Sequence, residues 1–248
     1  MKISNDMNNP FRQMLMQIPI IIVVAGFLAT LFTAWTEPGI SPNPVINDYQ
    51  AIVADRTQTN PNPVVTEVFI PVGIVAGHYG NDSGSVCADG LKEVDINLAI
   101  ASLVQKQLAE KGIKSEILRE FDPKLTNYKA NLLLSIHADS CNFINNEATG
   151  FKVAAALSNP HPEKSARLVL CLRKNYAKTT GLTLHNSVTS DMQDYHAFNE
   201  INPDTVAAII EVGFLNLDRQ ILTQKQDLVA QGITNGILCY LNNEDINP

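Results

Sequence analysis

Three apolar runs that are typical of buried strands are each followed by a side chain suited to metal binding or acid–base chemistry. Val68–Ala76 precedes Gly77 and His78, Leu132–Ile136 precedes His137, and Val206–Ile210 precedes Glu211. In open α/β sheets, ligands bind beyond the carboxyl ends of the strands. The sequence therefore predicts that these side chains meet at one edge of a sheet.

A fourth side chain, Glu93, follows an unusually long loop. Fourteen residues separate it from His78, with three glycines among them and no regular period. Loops of this length inside a compact domain are usually functional. An acid in the first turn of a helix is also favoured by the helix dipole, which explains the residue type without any ligand. It does not explain the long glycine-rich loop, which favours a role in a site.

Two imidazoles and one carboxylate, with a fourth position open, are typical protein ligands of a catalytic zinc ion. We predict that His78, Glu93 and His137 bind one Zn²⁺ per chain, although a single histidine after a strand is more often structural. Zinc polarises a carbonyl and brings the pKa of its water to about 7. A further carboxylate must accept the proton of the attacking water. Glu211 is the predicted catalytic residue, because apolar neighbours should raise its pKa.

The elements that must position these residues alternate between strands and helices from Glu67 onward. Strand patterns cover Val68–Ala76, Ser115–Leu118, Leu132–Ile136, Phe151–Leu157 and Val206–Ile210, and helical patterns cover Glu93–Lys111, Glu163–Thr180 and Leu228–Leu241. This alternation predicts an α/β fold, a three-layer domain with a largely parallel or mixed central sheet flanked by helices.

The N-terminal part of the chain has a different composition. Residues 18–35 form a run of eighteen residues without a charge, long enough to cross a hydrocarbon core of roughly 30 Å. Lys2 and Arg12 precede the run and mainly acidic residues follow it, which places the N-terminus in the cytoplasm. We predict one N-terminal transmembrane helix that acts as a signal anchor. The alternatives are a cleaved signal peptide and a buried core helix.

These patterns divide the chain into five segments. They are a cytoplasmic tail (1–13), the signal anchor (14–35), a proline-rich extracytoplasmic linker (36–66), a catalytic domain (67–243) and a C-terminal tail (244–248). Five prolines keep the linker extended and semi-rigid. The predicted location is membrane-anchored with an extracytoplasmic catalytic domain, or secreted if the N-terminal segment is cleaved.

The composition excludes several classes of protein. The 248-residue chain is 45% hydrophobic, which provides a sizeable core and rules out a wholly disordered or collagen-like chain. Its formal net charge of -7 argues against nucleic acid as the main partner, because phosphate binding needs clustered Lys and Arg. None of the four cysteines forms a C-x-x-C pair. Cys87 and Cys141 either pair in an exported protein or remain free buried thiols.

Five motifs follow one another along the globular part of the chain. They are GHYGNDSG (Gly77–Gly84), KEVDINLA around Glu93, LREFD (Leu118–Asp122), SIHAD (Ser135–Asp139) and IIEVGFL (Ile209–Leu215). In this order and context they resemble the zinc-dependent N-acetylmuramoyl-L-alanine amidases of the amidase type 3 family, which are bacterial cell-wall hydrolases. The resemblance covers about Phe69 to Leu241.

The resemblance implies that His78, Glu93 and His137 bind zinc and that Glu211 is the catalytic glutamate. It also implies that the substrate is peptidoglycan, cleaved by metal-activated water at the amide bond between N-acetylmuramic acid and the L-alanine of the stem peptide. The implied partners are peptidoglycan and, through the N-terminal helix, the membrane; a regulatory protein is left open. The stretch from His137 to Gly150 is short, so we expect none of the long inserted helix that blocks the zinc in division amidases.

Several points stay open at this level. Asp82 and Asn97 are candidates to hydrogen-bond the metal ligands, and His196 lies in a polar segment that could line the cleft. Asp139 stands where the family frequently has asparagine. The rival functions are a catalytically weak peptidoglycan-binding module and a zinc amidohydrolase of another small substrate.

Overall fold

The computed structural model describes residues 71–246. The strands are β1 (Val72–Ala76), β2 (Ser115–Leu118), β3 (Leu132–Asp139), β4 (Lys152–Ala155) and β5 (Val206–Phe214). They form one sheet in the order β2-β1-β3-β5-β4. Strand β4 is antiparallel to β5 and all other neighbours are parallel, so the sheet is mixed.

The helices in the described residues are unequal in length. They are α1 (Glu93–Glu110), α2 (Pro162–Thr180), α3 (Ser190–Gln193), α4 (His196–Glu200), α5 (Arg219–Gln224) and α6 (Gln226–Leu241), with a 3-10 turn at Pro123–Leu125. The long helices α1, α2 and α6 pack together on one face of the sheet. The other face is covered by α3, α4 and the 3-10 turn. The predicted fold class, a mixed α/β domain with a sheet flanked by helices, is confirmed.

Because successive side chains of a strand point to opposite faces of the sheet, the position of each site residue in its strand determines the face on which it lies. In β3, Leu134 packs among the long helices and Leu133 among the short ones. His137 is four residues after Leu133 in β3 and therefore lies on the same face of the sheet as Leu133. Glu211 of β5 lies directly opposite His137 in the β3–β5 register. Lys152 of β4 is the partner of Glu211 on the other side. Three ionisable side chains therefore form a row across three strands on the face covered by the short helices.

Two predicted strands end later than their apolar runs. The runs at Leu132–Ile136 and Val206–Ile210 were expected to stop before His137 and Glu211, but both strands continue through these residues. The β3–β5 ladder extends to Asp139, with an irregularity between it and His137. A ladder depends on backbone hydrogen bonds and tolerates a polar side chain, so the end of an apolar run is not the end of a strand.

The other predicted elements agree closely with the structure. Helix α1 ends one residue early and is followed by Gly112 with a φ of 75°, the left-handed conformation expected there. Strand β4 is shorter than predicted, and α2 and α6 begin slightly earlier. Helices α3, α4 and α5 were not predicted. Residues 140–150 contain no helix, as expected from the short stretch before Gly150.

Both cysteine pairs form disulfides. Cys87 in the loop before α1 is joined to Cys141 after β3, with their Cα atoms 5.2 Å apart. Cys171 of α2 is joined to Cys239 of α6, with a Cα separation of 5.7 Å. The first pair is one of the two alternatives considered from the sequence, and the second pair was not predicted.

The predicted cytoplasmic tail, signal anchor and linker lie at residues 1–66, outside the described residues. Residues 67–70 of the predicted catalytic domain and the last two residues of the predicted C-terminal tail also lie outside them. Among residues 71–246, the helices do not reach the combination of length and hydrophobicity that crossing a bilayer requires.

Candidate metal centre

Three predicted metal ligands come together at the carboxyl end of the sheet. His78 lies in the turn after β1, Glu93 is the first residue of α1 and His137 lies in β3. One potential ligand atom of each is within 4.8 Å of the other two. Oε1 of Glu93 is 3.2 Å from Nε2 of His78 and 3.3 Å from Nδ1 of His137. This cluster could hold a metal ion, and the 25% exposure of the His78 side chain leaves it open to solvent.

The backbone around the cluster passes very close to the ligand side chains. A Cβ atom on Gly77 would lie 2.3 Å from Cε1 of His137, and one on Gly84 would lie 2.6 Å from Oε2 of Glu93. His78 itself has a φ of 66°, in the left-handed region that few residues other than glycine adopt. The two glycines are therefore needed at these positions for the turn and the loop to approach the ligands.

Hydrogen bonds from neighbouring residues orient the side chains of the predicted metal ligands. Nδ1–H of His78 donates to Oδ1 of Asp82 over 2.6 Å, which leaves Nε2 facing Glu93. Asp82 is fixed in turn by the backbone N–H of Gly84 at 2.8 Å. The amide of Asn97, one helical turn after Glu93, donates to Oε1 of Glu93 over 3.1 Å. The structure thus places Asp82 and Asn97 where the sequence analysis expected residues that hydrogen-bond the ligands.

Glu93 is the most heavily hydrogen-bonded member of the cluster. The backbone N–H groups of Ser85 and Ala138 donate to its two oxygens over 3.0 and 3.2 Å. Burial alone would raise the pKa of Glu93, but hydrogen bonds from both histidines and from Ser85 outweigh it and hold the pKa well below its ordinary value. The hydrogen bond with Glu93 raises the pKa of His78 to about 9, against the opposing effect of burial.

Glu211 lies beside the cluster rather than in it. It is the register partner of His137, and its Oε2 atom is buried without a hydrogen-bond partner. Burial raises the pKa of Glu211 to about 7; negative charge on Glu93 and Asp139 adds to this, and positive charge on His137 and Lys152 opposes it. Lys152 and Asp139 form an ion pair next to it. The arrangement provides a partly buried carboxylate that can take up and release a proton near neutral pH.

Glu120 is a residue of the site that sequence reasoning missed. It follows β2 in the LREFD motif, whose charged residues are typical of an exposed loop. The side chain of Glu120 is nevertheless only 8% exposed. Its oxygens accept hydrogen bonds from the backbone N–H of His78 (2.5 Å) and from Nε2 of His196 (3.2 Å). Burial would raise the pKa of Glu120, but the hydrogen bond from His196 and the charge of His137 lower it to about 2.

His196 therefore does reach the site, although through Glu120 and without touching the cluster. It begins α4 and also donates from Nδ1 to Glu200 over 2.9 Å. The exposed ring of Phe121 stacks on its imidazole with centroids 4.1 Å apart. The neighbouring Tyr195 packs edge-on against the ring of His137 at 5.5 Å. No periodic pattern marks these residues, because α4 is too short to show one.

Comparison with known proteins assigns the fold to a family. The family model described as N-acetylmuramoyl-L-alanine amidase (Amidase_3) matches residues 72–239. AmiA, an N-acetylmuramoyl-L-alanine amidase of Escherichia coli K12, is 36% identical over 110 residues, which are 41% of this chain and 37% of AmiA. The chain thus spans little more than a third of the length of that relative.

Solved structures of amidases agree with this assignment. The catalytic domain of CwlV from Bacillus (Paenibacillus) polymyxa var. colistinus is 29% identical, covers 70% of this chain and 99% of its own, and has a TM-score of 0.53. An N-acetylmuramoyl-L-alanine amidase from Clostridium difficile 630 is 25% identical, covers 72% of this chain and all of its own, and has a TM-score of 0.56. The region matched by the family model contains the three candidate metal ligands and Glu211 and is more than half of the sequence. The chain belongs to the N-acetylmuramoyl-L-alanine amidase family.

Proposed function

We propose that the protein is a zinc-dependent peptidoglycan amidase that hydrolyses the amide bond between N-acetylmuramic acid and the L-alanine of the stem peptide. The observation that carries the proposal is the placement of Glu211 directly beside the cluster of His78, Glu93 and His137. A cation site next to a partly buried carboxylate of raised pKa provides the groups needed to hydrolyse an amide with water. Membership of the family, in which AmiA and CwlV are amidases by name, supports this choice of bond.

The donor set of the cluster fits zinc. Two imidazole nitrogens and one carboxylate oxygen are the ligands of many catalytic zinc sites, where a fourth position stays open for water or substrate. Nε2 of His78 and Nδ1 of His137 would be the histidine ligands, because these atoms face Oε1 of Glu93. One zinc ion bound there would supply a positive charge that polarises the amide carbonyl and makes water a stronger acid.

Glu211 is the proposed proton carrier of the reaction. Its carboxylate, which is only partly buried, can accept a proton from the water that attacks the carbonyl carbon. When the carbon–nitrogen bond breaks, the same carboxyl group returns that proton to the leaving nitrogen of L-alanine. The products are a carboxylic acid on the lactyl group and a free amine on the peptide. A pKa of about 7 suits both steps, because the group changes protonation state easily near neutral pH.

We also propose that the catalytic domain acts outside the cytoplasm. The two disulfides support this, because disulfides persist in oxidising compartments and are rare in the cytosol. The uncharged run at residues 18–35 and the proline-rich residues 36–66 would tether the domain to the membrane within reach of an immobile polymer. The proposed partners are thus peptidoglycan and the membrane.

Digestion of purified peptidoglycan by the full chain, kept in mild detergent, tests the function. We expect mass spectrometry to detect stem peptides with a free L-alanine amine from the zinc-loaded protein. These peptides should be absent after treatment with a chelator and should return when zinc is added back. Intact glycopeptides after incubation with zinc-loaded protein would contradict hydrolysis and favour a peptidoglycan-binding module. Cleavage at another bond would contradict the proposed specificity.

A further inference from the structure

Glu120 is a buried carboxylate whose position the proposed reaction does not explain. Its side chain is 8% exposed, and its backbone N–H donates to the carbonyl oxygen of Tyr79 over 2.9 Å. Burying an ionised carboxylate is costly unless its oxygens accept hydrogen bonds. Each oxygen of Glu120 accepts one hydrogen bond. The donors are the backbone N–H of His78 and the ring of His196, which both lie at or beside the candidate metal site.

Glu120 also faces the side of His137 that points away from the cluster. Nδ1 of His137 lies 3.3 Å from Oε1 of Glu93 and donates to it when no cation is present. Its lone pair becomes available to a cation only when the proton of the neutral ring is on Nε2 instead. Nε2 is buried and has no hydrogen-bond partner, and Oε2 of Glu120 lies 3.9 Å from it. Histidines that bind metals usually donate their other N–H to a carboxylate, a carbonyl or water, which fixes the tautomer and the ring orientation.

The surroundings of Glu120 hold it in this place. His196 donates to it from one nitrogen and to Glu200 from the other, and Phe121 stacks on the face of the same imidazole. Tyr195, in the same segment, packs nearly perpendicular to the His137 ring, with ring centroids 5.5 Å apart. The 3.9 Å between Nε2 of His137 and Oε2 of Glu120 exceeds the length of a hydrogen bond by about 1 Å, so the two groups must come closer for Nε2–H to donate to the carboxylate.

We propose that Glu120 is a positioning residue of the metal centre, which anchors the backbone of His78 and keeps the proton of His137 on Nε2 so that Nδ1 can bind the cation. The inference rests on the proposed metal centre, but not on the identity of the substrate. It assigns to the LREFD motif a direct structural link to both histidine ligands.

Metal binding by variants of the full chain tests the role of Glu120. Zinc dissociation constants are measured by competition with a chromophoric chelator, and the ligand field is monitored by the visible absorption of the Co²⁺-loaded protein. We expect Glu120→Ala to raise the zinc dissociation constant about 10- to 100-fold, the usual effect of losing such an outer partner. Glu120→Gln should have a smaller effect in the same direction, because its amide oxygen can still accept one hydrogen bond. Both variants should alter the Co²⁺ spectrum.

A nearby carboxylate provides the matched control. Glu116 lies on β2 and pairs with Lys124, so Glu116→Gln should leave zinc affinity and the Co²⁺ spectrum unchanged. If Glu120→Ala does not fold, two other variants are measured instead. One is the isosteric Glu120→Gln, and the other is His196→Ala, which removes one hydrogen-bond donor to Glu120. Both should weaken zinc binding severalfold. Zinc affinity and Co²⁺ spectra equal to wild type in the folded variants would overturn the proposal.

The same measurements separate this inference from the proposed function. Wild-type protein that binds zinc but leaves peptidoglycan intact would refute the amidase activity, while weaker zinc binding by the Glu120 variants would still support the positioning role. Conversely, an active amidase whose zinc affinity does not depend on Glu120 would refute the positioning role alone.

Discussion

Replacing Glu211 by glutamine should increase the stability of the metal-free protein while it removes activity. The side chain of Glu211 is partly buried, and its Oε2 atom is fully buried without a hydrogen-bond partner. Burial raises the pKa of the carboxyl group from 4.5 to about 7. The folded state therefore binds the proton more tightly than the unfolded state does. Under this condition the stability contributed by the group falls as the pH rises from 4.5 through about 7. A neutral amide of the same shape does not carry this penalty.

The size of the effect follows from the pKa difference. A shift from 4.5 to about 7 corresponds to a free-energy cost of about 3 kcal/mol for keeping Glu211 ionised in the folded protein. In chelator-treated protein at pH 8, Glu211→Gln should thus unfold in denaturant with a free energy about 3 kcal/mol higher than wild type. At pH 5 the difference should shrink to about 1 kcal/mol, because the wild-type group is then protonated in the folded state.

The same substitution is tested a second time by measuring the stability of the zinc-loaded proteins and their rate of peptidoglycan hydrolysis. A bound cation stabilises the carboxylate, so the difference in stability at pH 8 should decrease when both proteins are loaded with zinc. Glu211→Gln should retain zinc yet hydrolyse peptidoglycan about 10²- to 10⁴-fold more slowly, the usual contribution of a general base. For the wild type, kcat/KM should fall on the acid side with a midpoint at or below about 7, because the protonated carboxyl cannot accept a proton.

The control is Glu147→Gln. Glu147 is an exposed carboxylate in the loop after β3, so this change should leave stability and activity unchanged. A stability difference for Glu211→Gln that is the same at pH 5 and pH 8 would refute the argument from burial. An active Glu211→Gln enzyme would refute the assignment of the proton carrier.

Two further predictions concern the framework of the site. Replacing Cys87 and Cys141 together by serine should lower stability by about 4 kcal/mol and also weaken zinc binding, because this disulfide joins the loop that leads to Glu93 to the segment that directly follows the strand of His137. The matched pair of changes at Cys171 and Cys239 should cost about as much in denaturant unfolding but leave zinc affinity unchanged; equal effects on zinc would contradict a local role for the first disulfide. Gly77→Ala should displace the imidazole that its Cβ would overlap, so zinc titration should show at least tenfold weaker binding, and wild-type affinity would show that the turn can move aside.

Much of the scaffold could be predicted because it follows from side-chain periodicity. The buried face of α1 repeats at helical spacing, and the apolar run at Leu132–Ile136 is covered on both faces of the sheet. The convergence of His78, His137 and Glu211 followed from a general property of α/β sheets. Their exact environment did not, because His137 and Glu211 are neighbours within a ladder that continues past the apolar runs.

The remaining features depend on contacts between distant parts of the chain. Glu120 is buried because His196, 76 residues later, and the turn at His78 both donate to it. A local pattern of charged residues contains no sign of such partners. The same applies to the Cys171–Cys239 disulfide, whose residues lie 68 apart on two helices that pack together only in the folded domain.

The charges around Glu211 explain how its raised pKa persists beside a lysine. Lys152 is the register partner of Glu211, and alone it would stabilise the carboxylate and make it a weaker base. Asp139 prevents this, because it forms an ion pair with the ammonium group and its own negative charge raises the pKa of Glu211. Asp139 and Lys152 therefore act as one neutral ion pair, so the pKa of Glu211 depends mainly on burial, which raises it, on the positive charge of His137, which lowers it, and on the negative charge of Glu93, which raises it.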